Sequence, residues 1–182
     1  MEKFKGKYRT KSHRMPHWDY SNRGMYFITI CTTHRQHYFG EITNGKMQLS
    51  EIGLIVENEW IKTFQMRPDM NLQMDEYVVM PNHFHAIIII GENEYNATCR
   101  NAMHCVSTHD YKNKFGTQSK NLASIIRGFK IGVTKNARKI DADFKWQARF
   151  HDHIIRNDES FQNIKNYIKN NPVKWEDDKF LQ

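Results

Sequence analysis

Cysteine, proline and long apolar runs are what this 182-residue chain has least of. Its three cysteines, Cys31, Cys99 and Cys105, are odd in number and form no CxxC pair. That pattern argues against a disulfide framework or a zinc knuckle and makes a reducing cytoplasm the expected compartment. No stretch approaches the roughly 18 apolar residues of a membrane span. The longest, Ala86 to Ile90, has the length of a buried strand. Met1 to Arg14 is basic and polar with no apolar segment behind it, so it does not read as a secretory leader. Internal repeats and low-complexity tracts are also missing, which removes solenoids and fibrous classes.

What is present points to one soluble domain. Hydrophobic residues make up 39% of the chain, ordinary for a globular protein of this size. Lysine and arginine outnumber the acids by enough to leave a net charge of +7, which favours a polyanionic partner. Residues 1–24 read as an arm in which Lys3, Lys5, Lys7, Arg9, Lys11 and Arg14 are interleaved with Tyr8, His17, Trp18 and Tyr20. Such interleaving suits a nucleic-acid backbone and its bases, or a solvated tail that packs its tryptophan on the domain. Residues 25–182 then form the single domain.

Within it, Met25 to Thr33 is rich in β-branched and aromatic residues and predicts a strand. Phe39, Ile42 and Met47 around Asn44-Gly45 predict a short hairpin. Ser50 caps a helix carrying Ile52, Ile55, Val56, Trp60 and Phe64. Asn71 to Met80 and His83 to Ile90, parted by Pro81-Asn82, predict an antiparallel pair. Gly91 to Ser119 has no period and reads as a long excursion. Leu122, Ile125, Ile126, Phe129 and Val133 have helical spacing, with Asn121 or Ser119 as the start signal. The opposite side of that helix bears Arg127, Lys130, Lys135, Arg138 and Lys139, candidates for phosphate contacts or simply a solvated face. Lys145 to Ile155 predicts a fourth strand, and a last helix runs from Asn157 or Asp158 to about Asn171, stopped by Pro172. The order β-α-β-β-α-β-α gives an α+β sandwich: a four-stranded antiparallel sheet with two helices on one face, and the terminal helix as an addition.

The chemistry concentrates in two places. In His83-Phe84-His85 the two histidines share one face of a strand, and Phe84 points the other way into the core. Two imidazoles so placed can bind one divalent cation, or line a polar groove. On the last helix Tyr167 and Asn171 are four apart and so lie on one face, beside the apolar stripe of Phe161, Ile164 and Ile168. Tyr167 falls on the edge of that stripe, as a half-exposed side chain or as a core-edge tyrosine with its hydroxyl in water. His151-Asp152-His153 is a second triple whose histidines share a face, as a competing metal site or as contacts near the first.

The stretch Tyr77-Val-Val-Met-Pro-Asn-His-Phe-His-Ala-Ile-Ile-Ile-Ile90 resembles the HUH segment of the single-tyrosine insertion-sequence transposases. The stretches Trp146-Gln-Ala-Arg-Phe-His-Asp-His-Ile-Ile-Arg-Asn157 and Tyr167-Ile-Lys-Asn-Asn-Pro-Val-Lys-Trp175 are similar to one branch of them, the REP-associated tyrosine transposases. The resemblance runs from about Tyr26 to Trp175 and implies a ferredoxin-like fold. It implies that His83 and His85 bind Mg²⁺ or Mn²⁺, with Asn171 as a third, shorter ligand where relatives often carry glutamine. It implies Tyr167 as nucleophile, forming a 5′-phosphotyrosine link in single-stranded DNA beside a hairpin. It assigns no ligand role to His151 and His153, which stay as supporting contacts. Phe150 stands where relatives often carry a tyrosine, which leaves Tyr167 as the nucleophile. Other readings are a domesticated hairpin-binding protein with little strand transfer, or a replication-initiator-like nickase on the same metal pair. Insertion-sequence members work as dimers and the REP-associated branch can act as monomers, so a homodimer stays open.

Overall fold

The computed structural model describes residues 15, 18–97, 119–177 and 180. Most of the basic arm, Cys99, Cys105 and residues 98–118 of the polar excursion lie outside the described residues. The described end of the arm packs on the domain: the Trp18 indole donates to the Tyr26 hydroxyl at 3.2 Å, and Tyr20 is buried in the core.

Strand β1 (Gly24–Cys31) alternates as the sequence predicts, burying Tyr26, Ile28 and Ile30 on one side. A hairpin follows, β2 (Gly40–Thr43) and β3 (Lys46–Leu49), with Asn44 at φ 52° and Gly45 at φ 71° between Thr43 and its partner Lys46. Two successive positive φ angles are what a two-residue turn between right-twisted strands requires, and Asn-Gly accepts them at least cost. Helix α1 (Glu51–Gln65) starts where Ser50 accepts the Gly53 amide at 3.1 Å, and it buries Ile52, Val56 and Trp60 at four-residue spacing. Strands β4 (Leu72–Met80) and β5 (His83–Ile90) turn through Pro81-Asn82. Helix α2 (Leu122–Ala137) opens with a reciprocal cap between Asn121 and Ser124 and buries Leu122, Ile125, Ile126, Phe129 and Val133. Strand β6 (His151–Ile155) and helix α3 (Asp158–Asn170), capped by Asn157, complete the chain's order.

The four long strands lie in the order β4-β5-β1-β6, antiparallel throughout. This is the predicted ferredoxin-like sandwich. Helices α1 and α2 cover one face, where Trp60, Phe84 and Phe129 meet ring to ring at 5.1–5.3 Å. Helix α3 lies on the opposite face, against Ile87 and Ile155.

One predicted element is shortened. The strand expected from Lys145 begins only at His151, with a single isolated bridge between Thr32 and Trp146 before it. Arg149 sits at φ 71°, and Lys130 Nζ donates to the carbonyls of Gln147 and Arg149 at 2.8 and 3.1 Å. A left-handed residue breaks the pleat, and a lysine from α2 takes carbonyls that a strand would offer to a neighbour.

Candidate active site

Strand β5 is central in the sheet, so its side chains are covered on both faces. His83 and His85 are buried to 0% and 1% exposure, with ring centroids 4.5 Å apart. Each ring is held at Nδ1. The Asn82 carboxamide oxygen lies 2.8 Å from His83 Nδ1, while the same side chain's Nδ2 donates to the Phe180 carbonyl at 2.6 Å. An oxygen that only accepts puts the ring hydrogen on Nδ1 and leaves the lone pair on Nε2. Thr29, the ladder partner of His85 on β1, places its hydroxyl 2.8 Å from His85 Nδ1. With that nitrogen donating, His85 Nε2 is the acceptor for the Tyr167 phenol at 3.2 Å. Orienting partners of this kind fix the tautomer and aim of metal-binding histidines.

Tyr167 reaches the pair from α3. It is 40% exposed, with its ring 5.3 Å from His85 and edge-on to Phe27 at 6.2 Å. Asn171, one turn on, is buried to 3% exposure, and its Oδ1 is buried without a hydrogen-bond partner among the described residues. Four residues later the Trp175 ring lies 6.0 Å from His83. The chain from Tyr167 to Trp175 thus passes both imidazoles, with Asn171 midway. Phe180 roofs them, its ring 4.6 Å from His83 and 5.7 Å from His85, with the Arg35 guanidinium 4.5 Å above it.

These groups suit a divalent cation. Two imidazoles, each oriented through Nδ1, and a buried carboxamide oxygen without a hydrogen-bond partner among the described residues are nitrogen and oxygen donors of the kind such a cation takes. No three His, Cys, Asp or Glu side chains that could hold a metal ion converge among the described residues, so a third ligand drawn from them is of another type, such as the Asn171 carboxamide.

The second histidine triple lies elsewhere. His151 and His153 are exposed on β6, on the same sheet face as His85 but beyond β1, opposite Thr29 and Phe27. They line a groove of about 520 Å³ with Phe27, Asn157, Ser160 and Tyr167. They therefore border the phenol and are separate from the His83–His85 pair.

The basic helix face behaves unevenly. Arg127, Lys130, Lys135 and Arg138 line a larger groove of about 700 Å³ with Trp146 and Phe150; Lys139 does not, and instead donates to Asn136 at 3.0 Å. Lys130 is occupied by the two carbonyls named above, and burial pushes its ammonium down to about 8. Arg138 donates to the Phe144 carbonyl at 3.1 Å. Lys145 and Arg149 complete the cationic lining. Sequence reading missed both because it took their segment for a strand. Phe150 ends this groove and His151 begins the other, so the two flank β6.

No family model matches the chain. An uncharacterised protein of Haemophilus influenzae is 39% identical over 174 residues, covering 95% of this chain and 93% of that one. A second H. influenzae protein, named "Putative REP-associated tyrosine transposase", is 28% identical over 156 residues, covering 86% and 74%. A solved structure of a REP-associated tyrosine transposase bound to a REP hairpin superposes with TM-score 0.58 at 20% identity, covering 91% of this chain and 74% of that one, and shares its fold. No helix among the described residues is long and apolar enough to cross a membrane. With the two motif blocks, the sheet order and these relatives together, the chain is similar to the REP-associated tyrosine transposases and shares their fold.

Proposed function

We propose that the protein cleaves and rejoins single-stranded DNA beside a hairpin, with Tyr167 as the nucleophile. The observation that carries this reading is the phenol hydroxyl 3.2 Å from His85 Nε2, on a helix whose continuation brings Trp175 to His83. A divalent cation held by His83, His85 and Asn171, Mg²⁺ or Mn²⁺, would polarise the scissile phosphate and offset the charge gathering on its oxygens.

The chain's own groups do the rest. Thr29 and Asn82 keep both rings aimed, and the Phe27 edge limits the phenol's swing. In cleavage the Tyr167 oxygen bonds to phosphorus and the bond from phosphorus to the 3′ oxygen breaks. The phenol proton leaves to solvent, and the 3′ oxygen takes up one proton to depart as a hydroxyl. The downstream strand stays on the enzyme through its 5′ phosphate. Attack by another 3′-hydroxyl reverses these changes, joins the strands and returns the phenol, so no nucleotide cofactor is consumed. The Phe27, His151 and His153 groove suits unpaired nucleotides beside the reacting phosphate, and the cationic groove on α2 suits hairpin phosphates.

The test is a single-stranded hairpin oligonucleotide labelled at its 3′ end and incubated with the protein and Mn²⁺. A labelled adduct that survives denaturation and maps to Tyr167 is the expected result. Tyr167→Phe is expected to bind the oligonucleotide and form no adduct; an undiminished adduct rules Tyr167 out. A second reading, a hairpin-binding protein with little strand transfer, is favoured by Phe180 roofing the imidazoles. In that case wild-type protein binds the hairpin and yields no adduct.

A further inference from the structure

Helix α3 is divided lengthwise into three strips. At 100° per residue, Phe161, Ile164 and Ile168 form the strip that seats on the sheet. Tyr167 and Asn171 lie along one flank of that seat, and Lys165 and Lys169 along the other. The seat is small, since Ile168 is the buried residue of the helix. The lysine flank is tied down: Lys165 Nζ lies 2.9 Å from Asp75 Oδ1, and Lys169 Nζ 3.4 Å from Glu76 Oε2.

Those two acids are neighbours on β4, and on a regular strand neighbouring side chains point to opposite faces. Here the pairing of β4 with β5 slips between Met74 and Tyr77, so Asp75 and Glu76 fall in a bulge. The bulge lets both acids serve the same helix. Asp75 also accepts the Glu76 amide at 2.7 Å, which steadies the turn. Burial alone would push the Asp75 carboxyl up, but Lys165 and that amide overrule it and hold the group below its ordinary value. The bond to Asp75 raises Lys165 in turn, so the pair is charged across the neutral range.

We propose that Asp75 and Glu76 are positioning residues that fix the roll of α3 through Lys165 and Lys169, and so place the Tyr167 phenol at His85. The inference rests on Tyr167 being the nucleophile. A helix seated on one narrow strip is free to roll about its axis. With side chains reaching about 5–6 Å from that axis, a roll of about 10° carries the phenol roughly 1 Å. A displacement of that size at a reacting atom costs up to about 100-fold in rate. Half-exposed ion pairs are individually weak, so each is expected to contribute about threefold and both together about tenfold.

The experiment uses the full chain, the 3′-labelled hairpin oligonucleotide at saturation and Mn²⁺. The Asp75→Asn/Glu76→Gln double variant is the main probe. It removes acids from a DNA-binding protein, so a slower reaction cannot come from lost attraction to phosphate. The single-turnover rate of adduct formation is expected to fall about tenfold with hairpin affinity unchanged, while amide exchange along α3 rises. Lys165→Met is expected to fall about threefold and Lys165→Arg to recover. A double variant with wild-type turnover, or with wild-type exchange along α3, overturns the proposal. Wild-type protein that gives no Tyr167 adduct overturns the nucleophile reading instead, and the exchange measurement then decides the tether on its own.

Discussion

The two faces of the sheet are built to different standards. Toward α1 and α2, Tyr26, Ile28, Ile30, Phe84, Ala86, Ile88 and Ile90 from the sheet meet Val56, Trp60, Ile125 and Phe129 in one continuous cluster. Toward α3 the apolar cluster has Ile87, Ile155 and Ile168 as its buried members, flanked by polar and ionic contacts. Each large apolar side chain buried contributes about 1.5–3 kcal/mol, so the first face carries the stability of the domain. The second carries the candidate site: the buried imidazoles and Asn171, with Tyr167 exposed at their edge. Strand alternation is what permits this: one run, His83 to Ile90, sends Phe84, Ala86 and Ile88 to the first face and His83 and His85 to the second.

Variants should divide along the same line. The largest effect is expected from Tyr167→Phe, which removes adduct formation altogether; its melting temperature should stay within about 4 °C of wild type, the effect of one lost hydrogen bond. Trp60→Ala should do the reverse, costing about 3–5 kcal/mol in denaturant unfolding, while protein that remains folded still forms adduct. An adduct rate that collapses in Trp60→Ala at temperatures where it is folded would blur the division. Thr29→Val removes the partner of His85 Nδ1 and should weaken Mn²⁺ dependence by about 10- to 100-fold, read from the metal concentration at half-maximal cleavage. The smallest effect concerns Lys130. Its ammonium sits at about 8 in the fold and at its ordinary 10.5 when unfolded. Between those values the unfolded chain binds the extra proton, so stability should rise with pH, by about 1 kcal/mol once screening is allowed for. Lys130→Met should flatten that slope in unfolding curves from pH 8 to 10.

Local patterns carried much of this architecture into view. The short apolar run that ends His83 to Ile90 and the three- and four-residue spacing in α1 and α2 announce strand and helices, because each element's burial is written in its own residues. The partition of α3 into seat and Tyr167 flank is readable for the same reason. What local pattern cannot carry is partnership across distance. Thr29 is an ordinary β-strand threonine until the sheet places it beside a histidine 56 positions away. The Trp175 and Phe180 contacts with His83 depend on where the chain goes after Pro172. The stretch from Lys145 was misread because β propensity says nothing of a lysine arriving from α2. The bonds from Lys130 to the Gln147 and Arg149 carbonyls likewise join residues 17 and 19 positions apart. Asp75 and Glu76 fall within the stretch Asn71 to Met80 read as a strand, where an alternation already weak at an edge does not mark the bulge.

That bulge also bears on solubility. The sheet's two rims are β4 and β6. A straight rim exposes a row of amides and carbonyls onto which any stray extended chain can zip, the first step toward fibrils. Here β4 is interrupted at adjacent acids, and β6 is five residues long and begins just past a left-handed arginine. Neither rim offers a long regular template, so a sheet rich in isoleucine ends without an invitation to grow.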